Sequence, residues 1–183
     1  MNITLKYVDT DKLTSEQNDA INRLNQECFA DVSKEDVEED FIAEPFGFLF
    51  ASFGGVIIGR LALFERKIEF DGTEIKLGGM GGVCVGEKAR HKGIATVMLK
   101  KGLDILREHS CDVACLNVDL DKKVYGVYER VGFRMMDRDI SFENIHGEKV
   151  IEPGTMFAPI CSQEKYDLVM NSESTFHYGR GYW

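Results

Sequence analysis

Several features are scarce or missing in this chain, and each absence excludes a class of protein. There are only three prolines and one tryptophan among 183 residues. The longest apolar stretch, 46–59, contains Ser52 and four glycines, whereas a membrane-spanning helix needs about 20 mostly apolar residues. This stretch therefore predicts a buried hairpin. Residues 1–4 have neither the basic stretch nor the apolar run of a signal peptide, so we expect a cytoplasmic protein with no membrane partner.

The cysteines do not form any recognisable motif. No C-x-x-C pair occurs, which disfavours a zinc ribbon or a thioredoxin-like redox site. We therefore expect no metal site, and free buried thiols in a reducing compartment. The five cysteines are Cys28, Cys84, Cys111, Cys115 and Cys161.

Positive charge is also in short supply. The chain has 31 acids and 22 Lys and Arg, a formal net charge of −9, which argues against a nucleic-acid partner and is compatible with a cationic small molecule. Acids are concentrated in 31–44, and bases in 88–92. If both segments border one cleft, its acidic end would favour a cation and its basic end an anion. Otherwise the two segments are solvated helix faces.

The hydrophobic periodicity predicts helices and strands in a mixed order. The predicted helices lie at 14–29, where Thr14 and Gln17 have the spacing of a capping box, from 33 to before 45, at 90–109 and at 124–131. The predicted strands lie at 4–8, 46–53, 56–67, 75–85 and 111–118, with two more between 133 and 160. Asp71–Gly72 is predicted to be the hairpin turn between the third and fourth strands. We expect a mixed α/β fold in a single domain, 1–183. The aromatic C-terminal segment, 171–183, should be docked against it, because an exposed tail of this kind would be a liability.

The predicted strand that ends at Val83–Val85 leads through a short loop to the helix start at Arg90–Ala95. The free N–H groups of a helix start and the helix dipole can bind a diphosphate. Gly93 would allow the backbone to approach the phosphates closely, and Arg90 and Lys92 would add positive charge. The segment has neither the G-x-x-x-x-G-K-[ST] nor the G-x-G-x-x-G pattern, so on these grounds it could be any phosphate-binding turn.

A second segment, Tyr128–Phe133, reads Y-x-x-x-G-F. Alone, a tyrosine on a short helix could simply be a core residue. Together, however, the R-x-x-G-x-A segment from Arg90 to Ala95 and this second segment resemble the GNAT acetyltransferase superfamily. The resemblance implies a GNAT acyl-CoA N-acyltransferase fold with a central, mostly antiparallel, splayed sheet, and acetyl-CoA as co-substrate.

The resemblance also implies roles for individual residues. The backbone N–H near Val83 would stabilise the oxyanion as the amine attacks the thioester directly. Tyr128 would protonate the departing thiolate as general acid. Asp121 stands where many relatives carry an Asn that binds the cofactor arm. The implied cofactor-binding residues are Val83, Cys84, Val85, Arg90, His91, Lys92, Gly93, Ile94, Ala95, Thr96 and Asp121.

A narrower resemblance, to aminoglycoside 2′-N-acetyltransferases, involves both ends of the chain. It is carried by Phe29–Asp31 with Asp36, by Gly154–Phe157, and by Tyr178–Trp183. It implies that a cationic acceptor is bound by acids and by the terminal Trp carboxylate, and that the enzyme is a homodimer. Gly81 and Gly181 stand where those enzymes carry acids. The implied acceptor-binding residues are Asp31, Asp36, Glu152 and Trp183.

The sequence thus favours acetyl transfer to a primary amine of a cationic small molecule, with an aminoglycoside as one candidate. The alternatives are another amine (a polyamine, amino sugar, amino-acid derivative or peptide), a longer acyl donor, or a domain that binds acyl-CoA without turnover.

Overall fold

Ten strands and five helices follow one another in this computed structural model, which describes residues 2–122 and 124–183. The helices are α1 (Ser15–Cys28), α2 (Lys34–Glu39), α3 (Ile94–Glu108), α4 (Tyr125–Glu129) and α5 (Gln163–Asn171). The strands are β1 (Thr4–Asp9), β2 (Gly47–Phe53), β3 (Val56–Phe70), β4 (Thr73–Val85), β5 (Val113–Asn117), β6 (Arg134–Met135), β7 (Ile140–Glu143), β8 (Lys149–Glu152), β9 (Thr155–Pro159) and β10 (Phe176–Arg180).

Seven strands form one sheet in the order β1-β2-β3-β4-β5-β9-β6. Only β4 and β5 run parallel; the other neighbours are antiparallel. A smaller sheet has the order β10-β7-β8. The predicted mixed α/β fold with a mostly antiparallel central sheet is confirmed.

The large sheet has an apolar core on each face. On one face, Ile94 and Met98 of α3 pack in a cluster with Leu49, Leu61 and Met80 of the sheet. On the other face, residues of β2 and β3 pack with β7, β10 and the C-terminal segment. The predicted general acid, Tyr128, packs on the face that α3 covers. The acids predicted to bind the acceptor lie toward the other face.

Local signals explain where the first helices begin. Thr14 and Gln17 form the predicted capping box, each side chain accepting from the other's backbone N–H. Ser33 caps α2 by accepting from the N–H of Asp36. Helix α2 ends at Glu39, well before Pro45. No helix in the described residues is long and apolar enough to cross a membrane.

The prediction was wrong about the region after Phe133. Four strands, β6 to β9, lie where two were expected. Strand β6 has only two residues and β7 and β8 only four each, too few for alternation to be visible in the sequence. Helix α5 was not predicted, although Ser162 caps it by accepting from the N–H of Lys165.

The prediction of free, buried cysteines needs two corrections. Cys28 and Cys84 are joined by a disulfide, because the end of α1 packs against β4 and brings together two sulfurs that are 56 residues apart in sequence. Cys161 is exposed. Cys111 and Cys115 are free and buried, and burial raises the pKa of each thiol to about 12.

Candidate active site

The sheet opens between its two parallel strands. β4 pairs with β5 only from Leu77 to Gly79, opposite 113–115. Beyond this point, the residues of 80–85 that pair at all in the described part of the chain pair with β3, and Gly82 and Val83 form an irregularity in that pairing. The backbone groups of β4 that face β5 are therefore available to a bound chain, and Val83 lies in this open stretch.

The connection from β4 to α3 provides a second set of free backbone groups. Gly93 is the N-cap of α3, with φ +74°, and no side chain caps the helix there. The first N–H groups of α3, from Ile94 to Thr96, have no partner within the helix. Because the N-terminus of a helix also carries partial positive charge, this end of α3 can hold a phosphate anion.

The basic side chains of this connection brace its backbone. Arg90 Nε donates to the Val85 carbonyl at 3.0 Å, and its Nη2 lies 3.7 Å from Cys28 Sγ. Lys92 Nζ donates to the Lys88 carbonyl at 2.9 Å. His91 is exposed, with φ +61°. These side chains add positive charge near the helix start while holding the turn in shape.

Tyr128 lies in the last turn of α4 and is partly buried. It packs against the same apolar cluster as Val83 and Val85, on the face of the sheet that α3 covers. Burial raises the pKa of Tyr128 above its ordinary value, so the hydroxyl is protonated at neutral pH and can donate a proton.

An acid-lined cavity of about 380 Å³ opens on the other face of the sheet, because Phe142 and Tyr182 in its wall belong to the apolar core of that face. It brings together Asp31, Asp36 and Glu152, three of the four residues predicted to bind the acceptor. It lies beside the carboxyl end of β5, where Asp119 contributes to its wall, and so at the same edge as the opening between β4 and β5. We call this cavity the acidic pocket; its lining residues are Asp31, Val32, Ser33, Asp36, Asp40, Phe41, Asp119, Lys122, Phe142, Glu152 and Tyr182.

The carboxyl groups of the acidic pocket have different electrostatic environments. Burial, then Asp40 and Asp36, raise the pKa of Glu152. Burial, followed by Asp36, also raises the pKa of Asp40. The Lys122 ammonium lies 2.7 Å from Asp31 Oδ2, and this hydrogen bond lowers the pKa of Asp31. Among residues 2–122 and 124–183, no basic side chain forms an ion pair with Asp40 or Glu152, so a cationic ligand would stabilise these carboxylates.

Trp183, the fourth predicted acceptor residue, lies next to the pocket instead of in its wall. Its indole is 5% exposed, stacks on Phe64 at 5.3 Å and lies under the Arg66 guanidinium at 4.4 Å. The Asn117 amide donates to the main-chain oxygen of Trp183 at 3.1 Å. The neighbouring Tyr182 lines the pocket.

Asp121, expected to bind the cofactor arm, is exposed in a short turn after β5. Its N–H donates to the Asp119 carboxylate at 3.0 Å. The pocket residues that the sequence analysis missed include Asp40, Asp119 and Lys122. Only Asp40 had a local signal: it follows Asp36 by four residues, the spacing of one helix face.

Comparison with known proteins identifies the family. The family model described as an acetyltransferase (GNAT) domain matches residues 9–136, well over half of the chain. The chain belongs to this family of acetyltransferases.

Solved structures share the fold at low sequence identity. The E. coli GNAT family N-acetyltransferase YhbS, in complex with CoA, has 19% identity and a TM-score of 0.63, over 97% of this chain and 89% of that one. The E. coli ribosomal-protein-S18-alanine N-acetyltransferase has 15% identity and a TM-score of 0.56, over 94% and 99%. Eis1 from Mycobacterium abscessus has 13% identity and a TM-score of 0.60, over 76% of this chain and 33% of that one.

The present chain spans about a third of the length of Eis1 and of a Kribbella flavida GCN5-related N-acetyltransferase. No curated protein matches it significantly in sequence.

Proposed function

We propose that this protein transfers an acetyl group from acetyl-CoA to a primary amine of a cationic small molecule. Membership of the acetyltransferase family supports the reaction class. The observation that carries the choice of acceptor is the acidic pocket, which lies at the opening between β4 and β5 on the face opposite α3 and Tyr128. An amine held there could reach a thioester lying in the opening.

The groups around the opening suit a direct transfer. The amine nitrogen attacks the thioester carbonyl, the N–C bond forms, and the carbon–sulfur bond breaks. The N–H of Val83 would stabilise the oxygen as it becomes negative. Tyr128 would give its proton to the departing thiolate, and the proton lost by the amine would pass to a pocket carboxylate or to water.

The residues present also suit the two ends of acetyl-CoA. The unpaired backbone of β4 can bond the pantetheine arm, and the free N–H groups at the start of α3 can bind the diphosphate. Asp121 is an acceptor where many relatives carry an amide, so it could only accept hydrogen bonds from the arm when ionised.

The acidic pocket favours an acceptor with more than one ammonium group. Burial raises the pKa of Asp40 and of Glu152; the Asp36 carboxylate adds to both shifts, and the Asp40 carboxylate adds to that of Glu152. An aminoglycoside, as the narrower resemblance implies, or a polyamine would provide several such groups. A homodimer, which the narrower resemblance implies, is a separate proposal that light scattering would test.

An acceptor screen tests the proposal. Wild-type protein and acetyl-CoA are mixed with tobramycin, spermidine, glucosamine or a short peptide, and free CoA thiol is followed. We expect turnover with a polycationic acceptor and a KM for it that rises with ionic strength. If the protein binds CoA but releases no thiol from acetyl-CoA with any of these amines, the non-catalytic alternative is favoured.

A matched pair of variants tests the role of the pocket. Asp36→Asn should raise the KM for the cationic acceptor roughly two- to fivefold, as expected for one partly exposed charge, and leave the KM for acetyl-CoA unchanged. Glu35→Gln removes an exposed acid from the same helix that does not line the pocket. If both variants behave alike, the acceptor binds elsewhere.

A further inference from the structure

One buried side chain near the site has no role in the mechanism described so far. Arg60 on β3 is 7% exposed, and burial lowers its pKa to about 10, so it is still charged at neutral pH. No carboxylate lies within 4.0 Å of its guanidinium among residues 2–122 and 124–183. A buried charge without an opposite partner costs folding free energy, and such a cost is typical of functional sites.

The contacts of Arg60 are neutral and incomplete. Its Nη2 donates to the Asn25 side chain, and its Cζ lies 5.6 Å from the centre of the Phe29 ring. Its Nε is buried and has no hydrogen-bond partner among the described residues. The guanidinium is therefore fixed in place, but its charge is not neutralised by the residues around it.

The guanidinium lies directly against the bulge of the cofactor strand. Arg60 pairs with Cys84, and Ala62 with Gly81, so Gly82 and Val83 of β4 stand opposite a single residue of β3. Gly82 has φ +53°, and a β-carbon there would lie 2.1 Å from Arg60 Nη1. Only glycine leaves room for the guanidinium at this position, and the bulge sets the direction of the Val83 amide.

We infer that Arg60 is a positioning residue for acetyl transfer: it holds the Gly82–Val83 bulge in shape and places an uncompensated positive charge behind it. Negative charge develops on the thioester oxygen only as the amine attacks, and fixed charges in a dry site act strongly on it. The inference rests on the proposed function, and it adds a group that acts through the bulge without touching the substrate.

Arg60→Met is the main test, because it removes the charge and keeps most of the volume. Turnover is measured with acetyl-CoA and whichever of tobramycin, spermidine or glucosamine the wild type acetylates fastest. We expect kcat to fall about ten- to a hundredfold, less than for loss of a direct oxyanion donor. The KM values for acetyl-CoA and amine should stay within about twofold. The melting temperature should be unchanged or higher, since replacing a buried charge by an apolar residue often stabilises a protein.

Four further variants separate positioning from a purely structural role. Arg60→Lys keeps the charge and should retain more activity than Arg60→Met. Arg60→Ala should regain turnover when millimolar guanidinium is added, whereas Tyr128→Phe should not. Arg23→Met is the control: it removes an exposed guanidinium of α1 that donates to the Ile57 carbonyl at 2.7 Å.

Gly82→Ala provides an independent test if Arg60→Met does not fold. The added methyl would displace the guanidinium, and kcat should fall while CoA still binds. An unchanged kcat in a folded Arg60→Met would overturn the inference. A raised KM for the amine at constant kcat would also overturn it. So would a parallel loss of activity and melting temperature in the Arg60 variants, with no rescue of Arg60→Ala by guanidinium. A wild type that acetylates none of the amines overturns the proposed function, and this inference with it.

Discussion

The Tyr128 hydroxyl has an environment that suits a proton donor. Burial raises the pKa of Tyr128, and the side chain packs with the valines at the end of β4. A tyrosine acts as an acid only while it is protonated, so its contribution is present below its pKa and lost above it. Because that pKa is raised, no loss of turnover due to Tyr128 should be seen below about pH 10.

Tyr128→Phe removes only the hydroxyl. We expect kcat to fall by between about tenfold and about a thousandfold, close to the usual range for a general acid, with CoA affinity unchanged. Thiol release gives kcat, and calorimetry with CoA gives the affinity. Wild-type turnover in the variant would mean that Tyr128 is a packing residue or only lines the site.

Glu152 is the carboxyl group whose titration should be visible in stability. Burial and the neighbouring acids raise its pKa in the folded state, so the folded protein binds this proton more tightly than the unfolded chain. The free energy of unfolding should therefore fall as pH rises from the ordinary carboxyl range through the raised pKa.

Glu152→Gln removes this titration. The variant should be more stable than the wild type at pH 7, and the difference should shrink as pH falls and be nearly gone near pH 3, below the ordinary glutamate pKa of about 4.3, where Glu152 is largely neutral in both states. Urea unfolding at the two pH values measures this. Glu143→Gln, an exposed acid on β7, gives the background effect of the substitution; an equal gain there would exclude repulsion within the pocket as the cause.

At the scale of single elements, the turn from β4 into α3 depends on backbone conformation. Gly93 has φ +74°, and a β-carbon there would meet no atom within 4 Å. Glycine is therefore required at this position by the left-handed backbone conformation and not by crowding. Any other residue would either carry strain or change the direction of the N–H groups at the start of α3.

Gly93→Ala should therefore weaken CoA binding as well as lower stability, by roughly 1 kcal/mol for the strain. Gly72, in the turn between β3 and β4, has φ +73° and the same open surroundings. Gly72→Ala should cost similar stability and leave CoA affinity unchanged. Calorimetry and thermal unfolding of both variants distinguish the two effects; equal CoA affinities would place the diphosphate elsewhere.

Elements with strong local signals were predicted well. The capping box of α1 and the turn at Asp71–Gly72 were both found where the sequence indicated. Short elements were not predicted. Strand β6, for example, has only two residues, and its pairing with β9 is decided by neighbours distant in sequence. The predicted start of the third helix at Arg90 was early, because Arg90–Gly93 form the turn that precedes α3.

At the scale of the whole molecule, the C-terminal segment connects the two sheets. β10 pairs with β7, and Arg66 of β3 donates to the carbonyls of Tyr178 and Arg180 at 2.6 and 2.9 Å. Trp183 lies over β4, so close that a β-carbon on Gly79 would meet its indole at 2.3 Å. One wall of the acidic pocket depends on this packing, because Tyr182 belongs to it.

Trp183→Ala should lower the free energy of unfolding by about 3–5 kcal/mol, the usual cost of emptying a buried aromatic position. It should also raise the KM for the amine more than that for acetyl-CoA, since Tyr182 loses its support. Phe53→Ala, at a position 45% exposed on β2, should cost far less. Equal effects of Trp183→Ala on both KM values would mean that the segment supports the fold alone.

The amino-acid sequence by itself determined the family, the mixed α/β class and the turn that leads into α3, because these depend on residues close together in the chain. The resemblance to known enzymes had already implied that Asp31, Asp36 and Glu152 belong to one site. Only the tertiary structure decided that Asp119 and Lys122 line the same pocket, because they come from another segment and no local pattern connects them with these acids. The tertiary structure also decided that Cys28 and Cys84 form a disulfide and that Arg60 lies behind the bulge at Gly82. Contacts between distant segments arise from sheet register and helix packing, which the periodicity of one segment does not specify.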